Sequence, residues 1–409
     1  METTLPFCSH YARIIMARLM LLVSLILIGG CSRPARTTPS IAVLPVTSAK
    51  ELGGDRPKVD PPKEEPPLVL DTEDQAVAFF VKLGGKVTRD EQKIGNPVVS
   101  ADLGSVTMTD AGMKGLARLT NLTKLRLDGN QVTDAQFEEL AKLHNLTELY
   151  LRATKLTDTV VKELAALPKL TSLFLDGGTV TDAAWGEFAR FKHLTVLTLS
   201  GSNLTNVGVK EIARLKGITS LTLFWCDLIT AMGVKELAGL TNLTSFHLYL
   251  SGVTDAGLKE LATLTKITAL FLTDTKVTDA GWKELLALKN LKSLAVLDKN
   301  VTDSSVKEIA KLNHLTNLYL GDAQVTDAGW KELAALTNLT VLGVYGTELK
   351  PADLMELAKL SHLMELYLAH TKVTDAGFKE LQKALPKCKC SLEPGALLDS
   401  CFPVTSSFK

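Results

Sequence analysis

Nine aspartates, Asp110, Asp134, Asp158, Asp182, Asp255, Asp279, Asp303, Asp327 and Asp375, are spaced by multiples of 24 residues, with one step longer by one. Stacked carboxylates are the side chains that could hold a ladder of hard cations such as calcium. Each of the nine follows a threonine at the start of an apolar run, where helix capping accounts for the same residues more simply. Of seven histidines, His144, His193, His314 and His362 share one repeated turn, and among strand positions only His247 points outward. No serine–histidine–aspartate or cysteine–histidine set can be assembled from these spacings, and phosphate-loop and dinucleotide signatures are missing from the sequence. Zinc needs about four ligands at workable spacing, and no histidine accompanies the cluster Cys388, Cys390 and Cys401. The residues therefore predict a non-enzyme with no metal and no cofactor.

The elements that would position these side chains follow from a repeat. A block beginning Leu-Thr-x-Leu-x-Leu starts at Val98, Leu122, Leu146, Leu170, Leu194, Ile218, Leu243, Ile267, Leu291, Leu315, Leu339 and Leu363. Every interval is 24 residues except the one from Ile218 to Leu243, which is 25. A unit this short cannot bury its own apolar face, so the period implies a solenoid. Leu146, Leu149 and Leu151 alternate inward as in a strand, whereas Val161, Leu164, Ala165 and Leu167 recur at helical spacing. Each coil reads as strand, turn, helix, turn, with parallel strands about 4.8 Å apart giving a sheet arc of roughly 55 Å. Helices are bulkier than strands, so the strands should line the concave side.

The block Leu-x-x-Leu-x-Leu-x-x-(Asn/Thr/Cys)-x-Val/Leu-Thr-Asp resembles the leucine-rich-repeat family, nearest its cysteine-containing, ribonuclease-inhibitor-like branch. The resemblance spans about residues 98–392. It implies an α/β fold, a right-handed leucine-rich-repeat solenoid or horseshoe with a parallel concave sheet and convex helices, used for protein recognition without catalytic residues. The position held by Asn130, Thr154 and Cys226 is Gly178, Ala323 and Lys299 in other coils, which puts the local ladder hydrogen bonds there in question.

Outward strand positions carry the candidate binding residues. Tyr150, Phe174, Phe224, His247, Tyr249, Phe271, Tyr319, Tyr345 and Tyr367 should project away from the helix layer, where no core would cover them. Strand faces carry aromatics for sheet packing too, but exposed aromatic patches mark binding sites. The sixth repeat holds the extra residue, reads Phe224-Trp225-Cys226-Asp227-Leu228-Ile229-Thr230, and has Ala231 where others have aspartate. An insertion there should bend the backbone and set Trp225 at the concave rim. Trp185, Trp282 and Trp330 share the first helical turn and read as packing residues.

At the N-terminus Arg13 and Arg18 precede the apolar run Leu19 to Ile28, long enough for a signal peptide and too short to span a bilayer. Ile28-Gly29-Gly30-Cys31 resembles a bacterial lipoprotein signal, which implies lipidation at Cys31; ordinary secretion is the alternative. Export permits a disulfide from Cys401 to Cys388 or Cys390. The expected organisation is a signal over 1–30, the lipidated cysteine and a proline-rich tether over 31–72, an N-terminal cap over 73–97, twelve repeats over 98–387, and a cap strand and tail over 388–409. A tether of some forty residues could reach on the order of 120 Å. Lysine plus arginine equals aspartate plus glutamate at 45 each, which argues against nucleic acid as the main partner. The sequence thus predicts an extracytoplasmic, membrane-anchored lipoprotein that binds a protein or peptide on its concave face. The competing reading is a structural envelope scaffold or a cell-wall or carbohydrate-binding module.

Overall fold

The computed structural model describes residues 70–393 apart from 130–131, 152–155, 177–179, 201–202 and 250–251. The signal, Cys31, the tether as far as residue 69 and Cys401 lie outside the described residues, as do Asn130, Thr154 and Gly178. Among the described residues no helix is long and apolar enough to cross a membrane.

Among the described residues fourteen strands form one open sheet whose order follows the sequence. Its leucines stack in register: Leu149 pairs with Leu173, Leu173 with Leu197, and Leu197 with Leu221. The column continues through Phe246, Leu270, Leu294, Leu318, Leu342 and Leu366. All but one of the pairings are parallel. The exception lies in the cap, outside the repeats: Lys86–Arg89 runs antiparallel to Val98–Asp102. A hairpin-like return needs no crossover helix, so a capping strand can close the first coil from the short segment before Pro97.

The cap begins with the helix Glu73–Lys82, started by Thr72 and Gln75 in a reciprocal capping box. Ala76 and Phe80 are buried, while Leu83 ends the helix and is 42% exposed. Arg89 clamps the cap by donating to Glu73 at 2.8 Å, to Asp74 at 2.6 Å and to the Asn96 carbonyl at 2.9 Å. At the other end Lys389–Ser391 pairs in parallel with Glu365–Tyr367. Cys388 and Cys390 pack partly against the core there, while Leu392 is exposed.

Most coils turn through a two-turn helix such as Asp134–Leu140, Asp158–Leu164 or Asp303–Ile309. The stretches Gly186–Arg190 and Trp282–Ala287 tighten into 3-10 helix instead. Trp185, Trp282 and Trp330 are buried in the continuous apolar core between sheet and helices. Removing one core leucine, as in Leu221→Ala, should cost about 2–5 kcal/mol because the stacked coils cannot collapse into the gap.

Side-chain ladders tie each coil to the next. In most coils a threonine opens the strand and donates its hydroxyl to a carbonyl one coil earlier: Thr147 to Thr123 at 3.0 Å, Thr171 to Thr147 at 3.0 Å, Thr244 to Thr219 at 3.0 Å. At the turn before the strand, Asn145 donates to the Thr120 carbonyl and Asn242 to that of Lys216, both at 2.9 Å. His314 stands in this ladder, its ring nitrogen 3.0 Å from the Leu288 carbonyl.

The aspartate column forms a third ladder. Threonine is the helix cap, as where Thr109 accepts from the Gly112 N–H at 3.1 Å. The following aspartate accepts from the threonine of the next coil. Thr181 donates its N–H and hydroxyl to Asp158 at 2.8 and 2.6 Å, and Thr278 does the same to Asp255 at 2.7 and 2.7 Å. The repeated glycine two residues past the aspartate has a steric reason: a Cβ at Gly281 would collide with the Asp255 carboxylate, and one at Gly329 with that of Asp303. Capping therefore explains the threonines, and inter-coil bonding explains the aspartates.

Candidate binding surface on the strand side

Register places the sequence-predicted residues in two outward columns. Tyr150, Phe174, Thr198, Thr222, His247, Phe271, Ala295, Tyr319, Gly343 and Tyr367 are paired rung by rung. Phe224 and Tyr249 are neighbours in the second, with Tyr345 further along it. None of these aromatics belongs to the leucine core. They are nonetheless shielded, against the expectation of a bare face: Tyr150 is 1% exposed and Tyr319 2%, while Phe224 retains 9%. Rings lying on one another hide much of their surface. Tyr150 stacks on Phe174 with centroids 4.1 Å apart and planes 6° apart, near the strand spacing itself.

The five residues singled out around the sixth repeat form one chain of rings. Phe224 lies 6.0 Å from Trp225 and stacks on Tyr249 at 4.2 Å. Tyr249 meets Phe271 at 4.8 Å, and Phe271 meets His247 at 5.8 Å. Ser245 fixes the imidazole through a 3.0 Å contact to Nε2. Tyr150 with Phe174, and Tyr319, Tyr345 and Tyr367, lie on other stretches of the columns.

The extra residue bends the backbone locally, at Trp225 and the turn after it, and leaves the pairing of the sheet undisturbed. Ser220–Phe224 and Ser245–Tyr249 pair without a shift, and the added length is taken up in a turn at Asp227–Leu228. Cys226 is buried beneath it, its thiol 3.4 Å from the Phe224 carbonyl. Trp225 sits half-buried at the end of its strand with φ 54°, in the left-handed region. The equivalent residues with positive φ in other coils are Gly129, Asp274, Asp322, Gly346 and His370. Glycine, aspartate and histidine are residue types that tolerate this conformation, whereas a bulky aromatic residue is an outlier costing about 1–3 kcal/mol.

Sequence reading missed a second feature of the same coils. Where most other coils place Asp-Ala, these place Asn206-Val207 and Ala231-Met232, and Val207, Leu228 and Met232 are 60%, 53% and 72% exposed. The signal was present as Asn206 and Ala231 breaking the aspartate column. At the Lys299 coil, whose ladder bonds were in question, Asp298 accepts from the Thr275 N–H at 2.9 Å and its hydroxyl at 2.7 Å. Burial first, and the Asp298 charge second, raise the neighbouring Asp274 carboxyl above its ordinary range. Among the described residues no group of three or more histidine, cysteine or acidic side chains could hold a metal ion.

An open sheet of register-stacked leucine strands backed by short helices defines a leucine-rich-repeat solenoid. Residues 120–163 match the family model for two copies of leucine-rich repeats, and residues 192–213 match a further leucine-rich-repeat model. The chain carries leucine-rich repeats and folds as a leucine-rich-repeat solenoid. The crystal structure of an internalin from Listeria monocytogenes shares the fold at 24% identity and a TM-score of 0.51, covering 79% of this chain and 95% of that one. A leucine-rich-repeat protein of Leptospira interrogans aligns at 23% identity and a TM-score of 0.40, over 70% of this chain and 81% of that one. No curated protein matches the chain. Proteins of this family commonly serve as non-catalytic scaffolds for protein–protein interaction.

Proposed function

We propose that the chain is a lipid-anchored, extracytoplasmic binding protein whose strand side takes a protein or peptide partner, with its anchor at Cys31 and its principal contact around Trp225. The observation that carries the reading is Trp225 itself: a large, half-buried aromatic held at φ 54° where other coils use residues suited to that conformation. A strained backbone persists only where the surroundings enforce it, and such residues cluster at ligand contacts. Phe224, Tyr249, Phe271 and His247 back the indole with a continuous run of rings. Aromatic anchors of this kind contribute about 2 kcal/mol or more at an interface, roughly a thirtyfold change in affinity.

Trp225→Gly separates function from fold, because the two readings predict opposite signs. Glycine relieves the left-handed strain, so the thermal midpoint should hold or rise while capture of a stoichiometric partner by the full-length protein falls about thirtyfold. Lys259→Ala, on the opposite helix face, should change neither. A lowered midpoint with unchanged capture would make Trp225 a packing residue and remove the basis for the site. Bulk retention on cell-wall material, unaffected by Trp225→Gly, would favour the scaffold or carbohydrate reading.

A further inference from the structure

We infer that the rim of the fifth and sixth coils, where Val207, Leu228 and Met232 stand exposed, binds an extended polypeptide segment that carries one apolar side chain between two basic ones. This deepens the proposed function and rests on its placing the partner's contact at the coil of Trp225. Among the described residues of the first ten coils, these three are the only large apolar side chains left exposed, at 60%, 53% and 72%. Val207 and Met232 share one repeat position, filled by alanine, serine or threonine in every other coil. Leu228 occupies a position that is polar or glycine in every other coil. Large apolar groups turned to solvent on a rim of otherwise small and polar residues mark an interaction site.

The charge of the rim changes at the same two coils. Asn206 stands in the aspartate column and keeps the ladder without the charge: its Oδ1 accepts from the Thr230 N–H at 3.0 Å, and its Nδ2 donates to the Thr230 hydroxyl at 2.9 Å. Ala231 gives the ladder up, and Thr254 in the next coil caps with no side-chain bond. Carboxylates resume on either side, at Asp182 and Asp255, and Asp227 is exposed next to Leu228. On the helices behind, Lys210 and Lys235 are offset by Glu211 and Glu236, while Lys155 and Lys276 belong to the coils beyond, where Asp158 and Asp279 match them. The surplus charge around the patch is therefore negative. A second copy of the chain would bring two such flanks together and an anionic bilayer would face them, whereas basic side chains on both sides of an apolar one are complementary. Three coil steps of about 4.8 Å separate Asp182 from Asp255, about 14 Å. In an extended segment, residues four apart lie about 13.6 Å apart on one face, and the residue midway shares that face. The fitting pattern is basic-x-apolar-x-basic, with the apolar side chain over Val207 and Met232.

The test uses the full-length protein with acetyl-Lys-Ser-Leu-Ser-Lys-amide as the probe, read by NMR titration of the peptide. The probe should bind about tenfold more tightly than acetyl-Glu-Ser-Leu-Ser-Glu-amide or acetyl-Lys-Ser-Ser-Ser-Lys-amide, because each comparator removes one half of the complementarity. Val207→Ala combined with Met232→Ala restores the residue that most other coils carry and should weaken the probe by about tenfold. Leu228→Asn, which copies Asn203 of the coil before, should weaken it by a smaller factor, and Asp227→Asn should narrow the preference for the lysine-flanked peptide over the glutamate-flanked one. All four side chains are exposed, so the thermal midpoint should hold in each variant. Equal binding of the three peptides, or undiminished binding by the folded double variant, overturns the inference. Self-association, or attachment to phosphatidylcholine–phosphatidylglycerol vesicles, that the double variant abolishes while it still binds the probe also overturns it, since the occupant is then a second copy or a lipid surface. Partner capture that falls with Trp225→Gly while the three peptides bind alike leaves the proposed function standing and the rim refuted. Probe binding lost in the double variant, with capture insensitive to Trp225→Gly, does the reverse.

Discussion

Ala231→Asp should stabilise the protein, although it adds a charge. Thr254 is the threonine that would sit on residue 231 in the aspartate ladder, and it caps its helix with no side-chain bond. In the next coil Thr278 donates twice to Asp255, at 2.7 and 2.7 Å. The space for the missing carboxylate is already present. A Cβ at Gly257 would meet only Ala231, at 3.7–3.8 Å besides a Val253 contact, whereas Gly281 and Gly329 are needed to clear the carboxylates of Asp255 and Asp303. Two partly exposed hydrogen bonds at about 0.5–1.5 kcal/mol each suggest a gain of roughly 1–3 kcal/mol. Repulsion from Asp255, at about 5 Å in a water-like dielectric, costs about 0.8 kcal/mol. A carboxylate in the first helical turn returns about 0.3–1 kcal/mol. The net expectation is about 1–2 kcal/mol, a shift of a few degrees at most in a chain of this size. Because a solenoid is stabilised by nearest-neighbour interfaces, the gain should appear locally, as slower amide exchange across residues 206–278 with distant coils unchanged. Asp255→Ala should give the opposite change at the following interface. If Ala231→Asp leaves exchange unaltered while Asp255→Ala is neutral, the ladder is decoration and the argument fails.

Three further outcomes test other parts of the molecule. Asp274 is raised by burial and by Asp298, so the folded state holds its proton more firmly and loses stability as pH rises from the ordinary value of 3.8 through the raised one; Asp274→Asn should therefore raise the thermal midpoint at pH 7 by an increment that shrinks toward pH 3, and a pH-independent increment would contradict this. Burial, then the Cys390 charge, push the Cys388 thiol up to about 12, so at pH 8 peptide-resolved alkylation should run about three orders of magnitude slower than for an ordinary thiol near 8.5, and labelling as fast as in urea would refute it. Cys31→Ala should abolish fatty-acid labelling and move the protein to the soluble fraction, since stable anchoring depends on the attached chains; persistent labelling would place the anchor elsewhere or remove it.

How much of this was legible depended on whether a residue acts within its own coil or across the stack. The leucine strands and the buried tryptophans follow from periodicity inside one unit, and the sequence carries that directly. Asp158 does not: its neighbours suggest a cap, and its bond to Thr181 appears only when coils are superposed at 4.8 Å. The same limit hid the shielding of Tyr150, whose cover includes the ring of Phe174, 24 positions away. Lys86–Arg89 was missed for another reason, since a four-residue strand with no apolar alternation has little periodicity to read. Departures from the repeat carried the most information about surface. Asn206, Ala231 and Trp225 are each unremarkable alone; against their columns they mark a broken ladder and a strained rim. In a repeat protein the period specifies the scaffold, so a binding surface has to be written in the positions that violate it.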